Sequence, residues 1–238
     1  MQQTAEGLRF VLPIDRADGY RSNYELLATA DGTAVAVGEV ESARKFPKSC
    51  PERHINRNGT FCMYWPGSDD LRVTDRASAE KWWATLVKFL RLQERADRLK
   101  RWPSLEQWAH GAAATYQLQA IEAANRLGPP YSSAVLQNRL TVTDCKNSRR
   151  VFLDRKWIYS VDVKRQSVVN KNARCICEPV NGARPKTMRT CADHADAAYV
   201  LALTLRLWDL EEQRFWLAQD STACCQSMTT CPFYKKAA

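Results

Sequence analysis

Three short runs near the start of the chain, LRFVLPI (8–14), YELLATA (24–30) and TAVAVGEV (33–40), place branched and aromatic residues at strand spacing. Asp-Gly pairs at 18–19 and 31–32 separate them. Residues 24–30 and 33–40, hinged at Asp31-Gly32, predict a hairpin, and the three runs together predict an antiparallel meander. A loop dense in Pro, Lys, Arg and Asn follows over 46–58.

The period changes near Ser78. Trp82, Trp83, Leu86, Val87, Phe89, Leu90 and Ala96 share one broad apolar face, with Lys81, Lys88, Arg91 and Arg95 mostly opposite, so a helix is expected up to Trp102-Pro103. Ser104-Leu-Glu-Gln107 has the form of a capping box, opening a second helix through Trp108, Ala112, Leu118, Ile121 and Leu127. Gly128-Pro129-Pro130 stops that helix, and the domain boundary is drawn there, giving domains 1–130 and 131–238. In the second, 134–143 and 150–169 are expected as strands, 172–194 as a Cys/His-bearing loop and 195–219 as a long apolar helix before a Cys-rich tail. The pattern predicts an α+β protein with a Cys-rich α/β extension.

Charge and cysteine usage narrow the picture. The net charge is +9, and the twelve Lys/Arg against three acids between Lys146 and Arg189 account for all of it. Such a stretch suits nucleic acid, an acidic protein or an anionic surface, or is simply a solubilising face. The most apolar window, 195–205, is too short to span a bilayer and runs into Arg206 and Asp209. With no charged and apolar leader at the start, a soluble, cytoplasmic protein is expected. Nine cysteines in that setting read as reduced thiols, metal ligands or a catalytic thiol rather than a disulfide framework. Motifs for phosphate cradles, zinc proteases, serine elbows and dinucleotides are absent, so nucleotide-driven chemistry is not expected in this chain.

HINRNGTFCMYW (54–65) carries the sharpest candidate chemistry. Gly59 ends a polar turn, and a short extended run then delivers Cys62. Asn56 and Asn58 can hold that turn or donate to an oxyanion, and Arg53 and His54 nearby would favour a thiolate. Cys62 is then either a nucleophile or a small residue packed under a strand. The order meander, polar loop, N-G-x-x-C, two helices resembles the core of ubiquitin-conjugating enzymes over roughly residues 8–128. That family carries H-P-N before G-x-x-C; aligned without gaps, Glu52-Arg53-His54 stands in its place. His54 fits the H-P-H version of bacterial members, while the H-P half is missing here. A shifted register would instead use His54-Ile55-Asn56 and make Asn56 the oxyanion donor. The Trp-rich helix and its successor are similar to bacterial members from anti-phage defence operons.

The resemblance implies a UBC-like meander followed by helices. It implies that Cys62 accepts a ubiquitin-like modifier as a thioester from a separate ATP-using activating enzyme and passes it to an amine of a target protein. His54 would stabilise the oxyanion or pin its loop, Asn58 matches the family's residue before the glycine, and no cofactor is needed for catalysis. Trp65-Pro66 and the basic residues of the first helix become candidate partner contacts, and His110 is read as structural. Separately, Cys175-x-Cys177 and Cys191-x-x-His194 offer three thiolates and an imidazole, either a structural zinc site or unliganded thiols. Cys224, Cys225 and Cys231 could replace one ligand or form another site. The rival to the enzyme is a non-catalytic, basic, zinc-stabilised module that binds nucleic acid or protein; no membrane partner is expected.

Overall fold

A computed structural model describes residues 2–16, 19–65, 71–103, 109–170, 173–177, 187–219 and 224–235. It divides into two units: Met1–Gln107 with Gln219–Ala238, and Trp108–Ala218.

In the first unit an antiparallel sheet runs in the order β1 (Gln2–Thr4), β2 (Gly7–Asp15), β3 (Arg21–Asp31), β4 (Ala34–Glu39). The last three are the expected meander; β1 adds an edge strand that the sequence pattern does not mark. Alternate residues Phe10, Leu12 and Ile14 on β2, Tyr24, Leu26 and Ala28 on β3, and Val37 on β4 are buried, as a period of two requires. Helix α1 (Arg76–Leu99) covers them with Trp82, Leu86, Phe89 and Leu90. Each such side chain contributes roughly 1.5–3 kcal/mol by leaving water. Asp75 caps the helix: its carboxylate accepts the Ser78 amide at 2.7 Å while Ser78 Oγ accepts the Asp75 amide at 3.0 Å. The helix therefore opens two residues before Ser78. Lys100, left-handed at φ 54°, closes it by donating its N–H to the Ala96 carbonyl.

The second unit holds α2 (Ala113–Leu127), α3 (Tyr131–Leu136), the antiparallel sheet β5 (Leu140–Cys145), β6 (Ser148–Leu153), β7 (Lys156–Asp162), β8 (Ser167–Val168), and α4 (Ala195–Leu217). Helix α2 presents Ala120, Ala123 and Ala124 to the same core as Ala197, Ala198, Leu201 and Ala202 of α4. Small side chains let two helices approach closely, and this packing places α2 in the second unit although Gly128 ends it. The proposed capping box at 104–107 lies outside the described residues. The run 134–143, expected as a strand, begins as α3. Ala134 and Val135 face the core there, and the strand starts only at Leu140. The run 150–169 is split into strands at Asp154-Arg155, both left-handed (φ 50° and 66°), a two-residue hairpin turn without its usual glycine. Among the described residues no helix is long and apolar enough to cross a membrane.

His110 in this unit is a fastening, as expected from sequence. Its Nδ1 lies 2.5 Å from Glu212 Oε1, its amide donates to Oε2 at 2.9 Å, and its ring stacks on Phe215 at 4.6 Å. Trp216 Nε1 donates to the same carboxylate at 3.0 Å. Burial works to raise the Glu212 carboxyl, but the His110 ring and amide and the Trp216 donor outweigh it and hold it below its ordinary 4.5. A carboxylate depressed in the folded state stabilises above its unfolded pKa, and that stability is lost as pH falls through the folded value. Urea titrations from pH ~5 to ~3 are expected to show a steep loss of stability in the native chain and a shallower one in Glu212→Gln. Equal slopes would remove this pair from the account.

Candidate functional site

The loop that ends at Cys62 is a miniature hairpin built on the edge of β4. A short 3-10 turn, Pro51–Arg53, leads into His54, whose left-handed backbone (φ 54°) is fixed by its N–H donating to the Pro51 carbonyl at 2.8 Å. Cys50 and Ile55 exchange both backbone bonds at 3.0 Å, and Ile55 bridges Phe61. Ile55 and Phe61 are buried, so strand alternation turns the next residue, Cys62, outwards, and it is exposed. The Cys62 amide donates to the His54 carbonyl at 2.8 Å, and the Phe61 amide donates to Val37 of β4 at 2.7 Å.

Two details fix this placement. Gly38 bridges Thr60, and a Cβ on Gly38 would lie 2.5 Å from the Gly59 carbonyl oxygen, so only glycine allows the approach. Gly38→Ala is expected to cost about 2 kcal/mol in urea unfolding, within the range for overpacking a fitted contact; an unchanged midpoint would show the hairpin is not seated here. Thr60 organises the turn: Asn56 Nδ2 donates to its hydroxyl at 3.0 Å, while Asn58 Oδ1 accepts its amide at 3.1 Å and its hydroxyl at 2.7 Å. Both asparagines thus hold the turn, one of the two uses expected of them.

The expected electropositive surroundings of Cys62 are not what the structure provides. Arg53 is buried; its Nε donates to Gln93 Oε1 at 2.9 Å, Nη2 to the Gln93 carbonyl at 3.1 Å and Nη1 to Asp97 at 3.3 Å. Its charge serves the α1 packing. His54 is buried too, its ring 4.8 Å from that of Trp102. It does not share an exposed rim with Cys62, although the two residues are joined through the backbone. Cys62 Sγ lies 3.9 Å from the Tyr64 carbonyl. The residue as a whole is exposed, yet the protein packed around the thiol desolvates it enough to push it up. At rest Cys62 is a protonated, reachable thiol. Trp65 is half-buried, and Pro66 lies outside the described residues.

In the second unit, Cys175, Cys177, Cys191 and His194 place their ligand atoms within 4.8 Å of one another. An antiparallel bridge between Arg174 and Thr187 brings the two halves together. Cys191 follows a short 3-10 turn, and His194 is the N-cap of α4. Cys177 Sγ lies 3.6 Å from Sγ of both Cys175 and Cys191, and His194 Nδ1 lies 3.1–3.5 Å from the three sulfurs. Tetrahedral zinc at ordinary bond lengths asks for S–S edges of about 3.8 Å and S–N edges of about 3.6 Å. The donor set and its spacing fit zinc, with all four positions filled by protein and none left for a substrate. Cys177 is pushed up to about 11 by its bond to Cys191, by burial and by Cys175. Against burial, the Asp193 amide, Cys175 and His194 hold Cys191 down to about 6. The tail cysteines have neighbours within the first unit: Cys224 pairs with Cys231 and Cys225 with Cys50. The spacer 178–186 lies outside the described residues.

Comparison with known proteins follows this division. Residues 1–104 match a family model described as a prokaryotic E2 domain, and residues 109–233 match one described as a cysteine-rich domain C-terminal to the E2 domain. The E2 match ends before α2, whereas the resemblance read from sequence ran on to residue 128. No curated protein and no solved structure matches the chain. The Cys/His cluster lies within the second matched region, and the chain belongs to the prokaryotic family in which an E2 domain is followed by a cysteine-rich domain.

Proposed function

We propose that this chain is a conjugating enzyme that carries a ubiquitin-like modifier as a thioester on Cys62. The observation behind this reading is the exposure of Cys62 at the end of a rigid hairpin inside the region matched by the E2 domain. The Cys62 thiol loses its proton as it attacks the modifier's C-terminal carbonyl, already activated as a thioester on a separate ATP-using enzyme. That enzyme's thiolate leaves, and the S–C bond moves to Cys62. A target amine then attacks the same carbonyl, an amide forms, and the Cys62 thiolate departs. Hydrogen-bond donors at the tetrahedral stage are each worth on the order of 10²-fold in rate. Asn58, exposed and fixed by Thr60 through its oxygen, is better placed to offer its amide than His54, which packs on Trp102. His54 acts by setting the backbone to which the Cys62 amide is bonded.

In the second unit Cys175, Cys177, Cys191 and His194 would hold a structural zinc ion. When bound, the ion neutralises the thiolates and fixes the entry to α4; it takes no part in transfer. We place the activity in a reducing cytoplasm. The resemblance to members from defence operons points to anti-phage defence as the setting.

The test is recovery of the tagged full-length chain from its own cells without reductant. A protein adduct is expected that thiols remove, that disappears in Cys62→Ala and that becomes thiol-resistant in Cys62→Ser. An adduct indifferent to both changes would overturn the proposal.

A further inference from the structure

The returning tail, residues 224–235, docks on the first unit beside the base of the Cys62 hairpin. Met228 is fully buried. Thr229 donates to the Lys100 carbonyl from its amide at 2.7 Å and from its hydroxyl at 2.9 Å, and Thr230 Oγ1 donates to Glu52 at 2.6 Å. This brings Cys225 Sγ to 2.9 Å from Cys50 Sγ, closer than two sulfurs in van der Waals contact. Cys50 is the residue whose backbone pairs with Ile55 and so closes the hairpin. The separation is too short for two ligands of one zinc, which stand about 3.8 Å apart. Among the described residues, the four cysteines of this region also do not gather as the Cys175 set does.

We propose that Cys50 and Cys225 are a peroxide-sensitive dithiol whose oxidation to a disulfide fixes the tail covalently to the base of the hairpin that carries Cys62. The two partners differ as such a pair requires. Cys225 is half-exposed, and the bond from Cys50 chiefly holds it down to about 5, with help from Ser227 and Arg53 against burial. Cys50 is buried and pushed far up by Cys225 and by burial, so it keeps the shared proton. Cys225 thiolate attacks hydrogen peroxide, the O–O bond breaks, and after protonation of the leaving hydroxide a sulfenic acid and one water result. Cys50 sulfur then attacks that sulfenic sulfur; its proton and the departing hydroxyl leave as a second water, and the S–S bond forms. Two thiols are oxidised by two electrons in total, and one peroxide is reduced.

The experiment uses the full-length, zinc-loaded, reduced protein exposed to a small excess of hydrogen peroxide, then alkylated, digested and mapped by mass spectrometry. The main product is expected to join the Cys50 and Cys225 peptides and to disappear with reductant. Cys225→Ser should abolish it and Cys224→Ser should leave it intact. Cys50→Ala should slow iodoacetamide labelling of Cys225 at pH ~6 by about tenfold, since the donor that favours the thiolate is gone. Because Cys50 is buried, Cys225→Ser with a circular-dichroism check decides the matter if Cys50→Ala does not fold. A Cys224–Cys231 disulfide as the main product, or Cys225 oxidised past sulfenic acid with Cys50 still alkylatable after denaturation, would overturn the proposal.

Discussion

Cys191→Ala is expected to lose about one equivalent of zinc per chain and to cost the second unit about 5 kcal/mol, a fraction of the roughly 10–16 kcal/mol that structural zinc supplies in zinc-finger peptides. Cys191 is fully buried, and its neighbours are two further sulfurs and an imidazole, so its removal takes away one of four protein ligands. The damage should be confined. Val151, Tyr159, Leu201 and Ala202 build a core that does not depend on the metal, and Tyr159 Oη donates to the Ala198 carbonyl at 2.9 Å. Hydrogen exchange should therefore quicken at 173–177 and 187–194 while β6, β7 and the middle of α4 stay protected. Metal analysis and exchange together check this. A native chain that carries no zinc as isolated, or a variant that melts at the same midpoint as the native protein, would contradict it.

The second large effect concerns Arg53. Gln93→Leu should destabilise the first unit by about 3 kcal/mol, whereas Arg53→Met should cost less. Gln93 is fully buried and accepts from Arg53 Nε, while its own Nε2 donates to the Arg53 carbonyl at 2.5 Å. Replacing it with leucine leaves a guanidinium in the interior that has lost its side-chain acceptor and keeps the residue-93 carbonyl, Asp97 and the face of Phe46. Removing the arginine instead leaves the buried Gln93 oxygens without their donor, a neutral loss smaller than a stranded charge, and leaves Asp97, which is mostly exposed and recovers its hydration. The order of the two costs in urea unfolding is the check. If Arg53→Met were the worse, the stranded guanidinium would not be the larger cost and this reading of the pair would fall.

Residues close in sequence made much of this architecture legible. The β2–β4 meander follows from strict alternation and Gly32, and α1 follows from its apolar stripe. The gathering of Cys175, Cys177, Cys191 and His194 could be read because its spacing is local, and the outward turn of Cys62 because Gly59 and Asn58 stand beside it. What could not be read depends on long-range packing. Arg53 appears in sequence as a surface charge near a thiol; only the arrival of Gln93 forty positions later makes it an interior anchor. His54 reads in sequence as a neighbour of the thiol on an exposed rim; its burial against Trp102 could not be read. Helix α2 has a glycine stop that reads as a boundary, yet its alanine face belongs with α4. Cys50 carries no local signal at all, since its partner lies 175 positions away.

Identifying which of the nine cysteines carries the modifier tests the central claim most directly. Rapid denaturation in acid, digestion and mass spectrometry of the recovered adduct would locate the thioester. The modifier's C-terminal residues should be found on the peptide holding Cys62. Their attachment to Cys225 or any other cysteine, with Cys62 carrying none, would contradict the account.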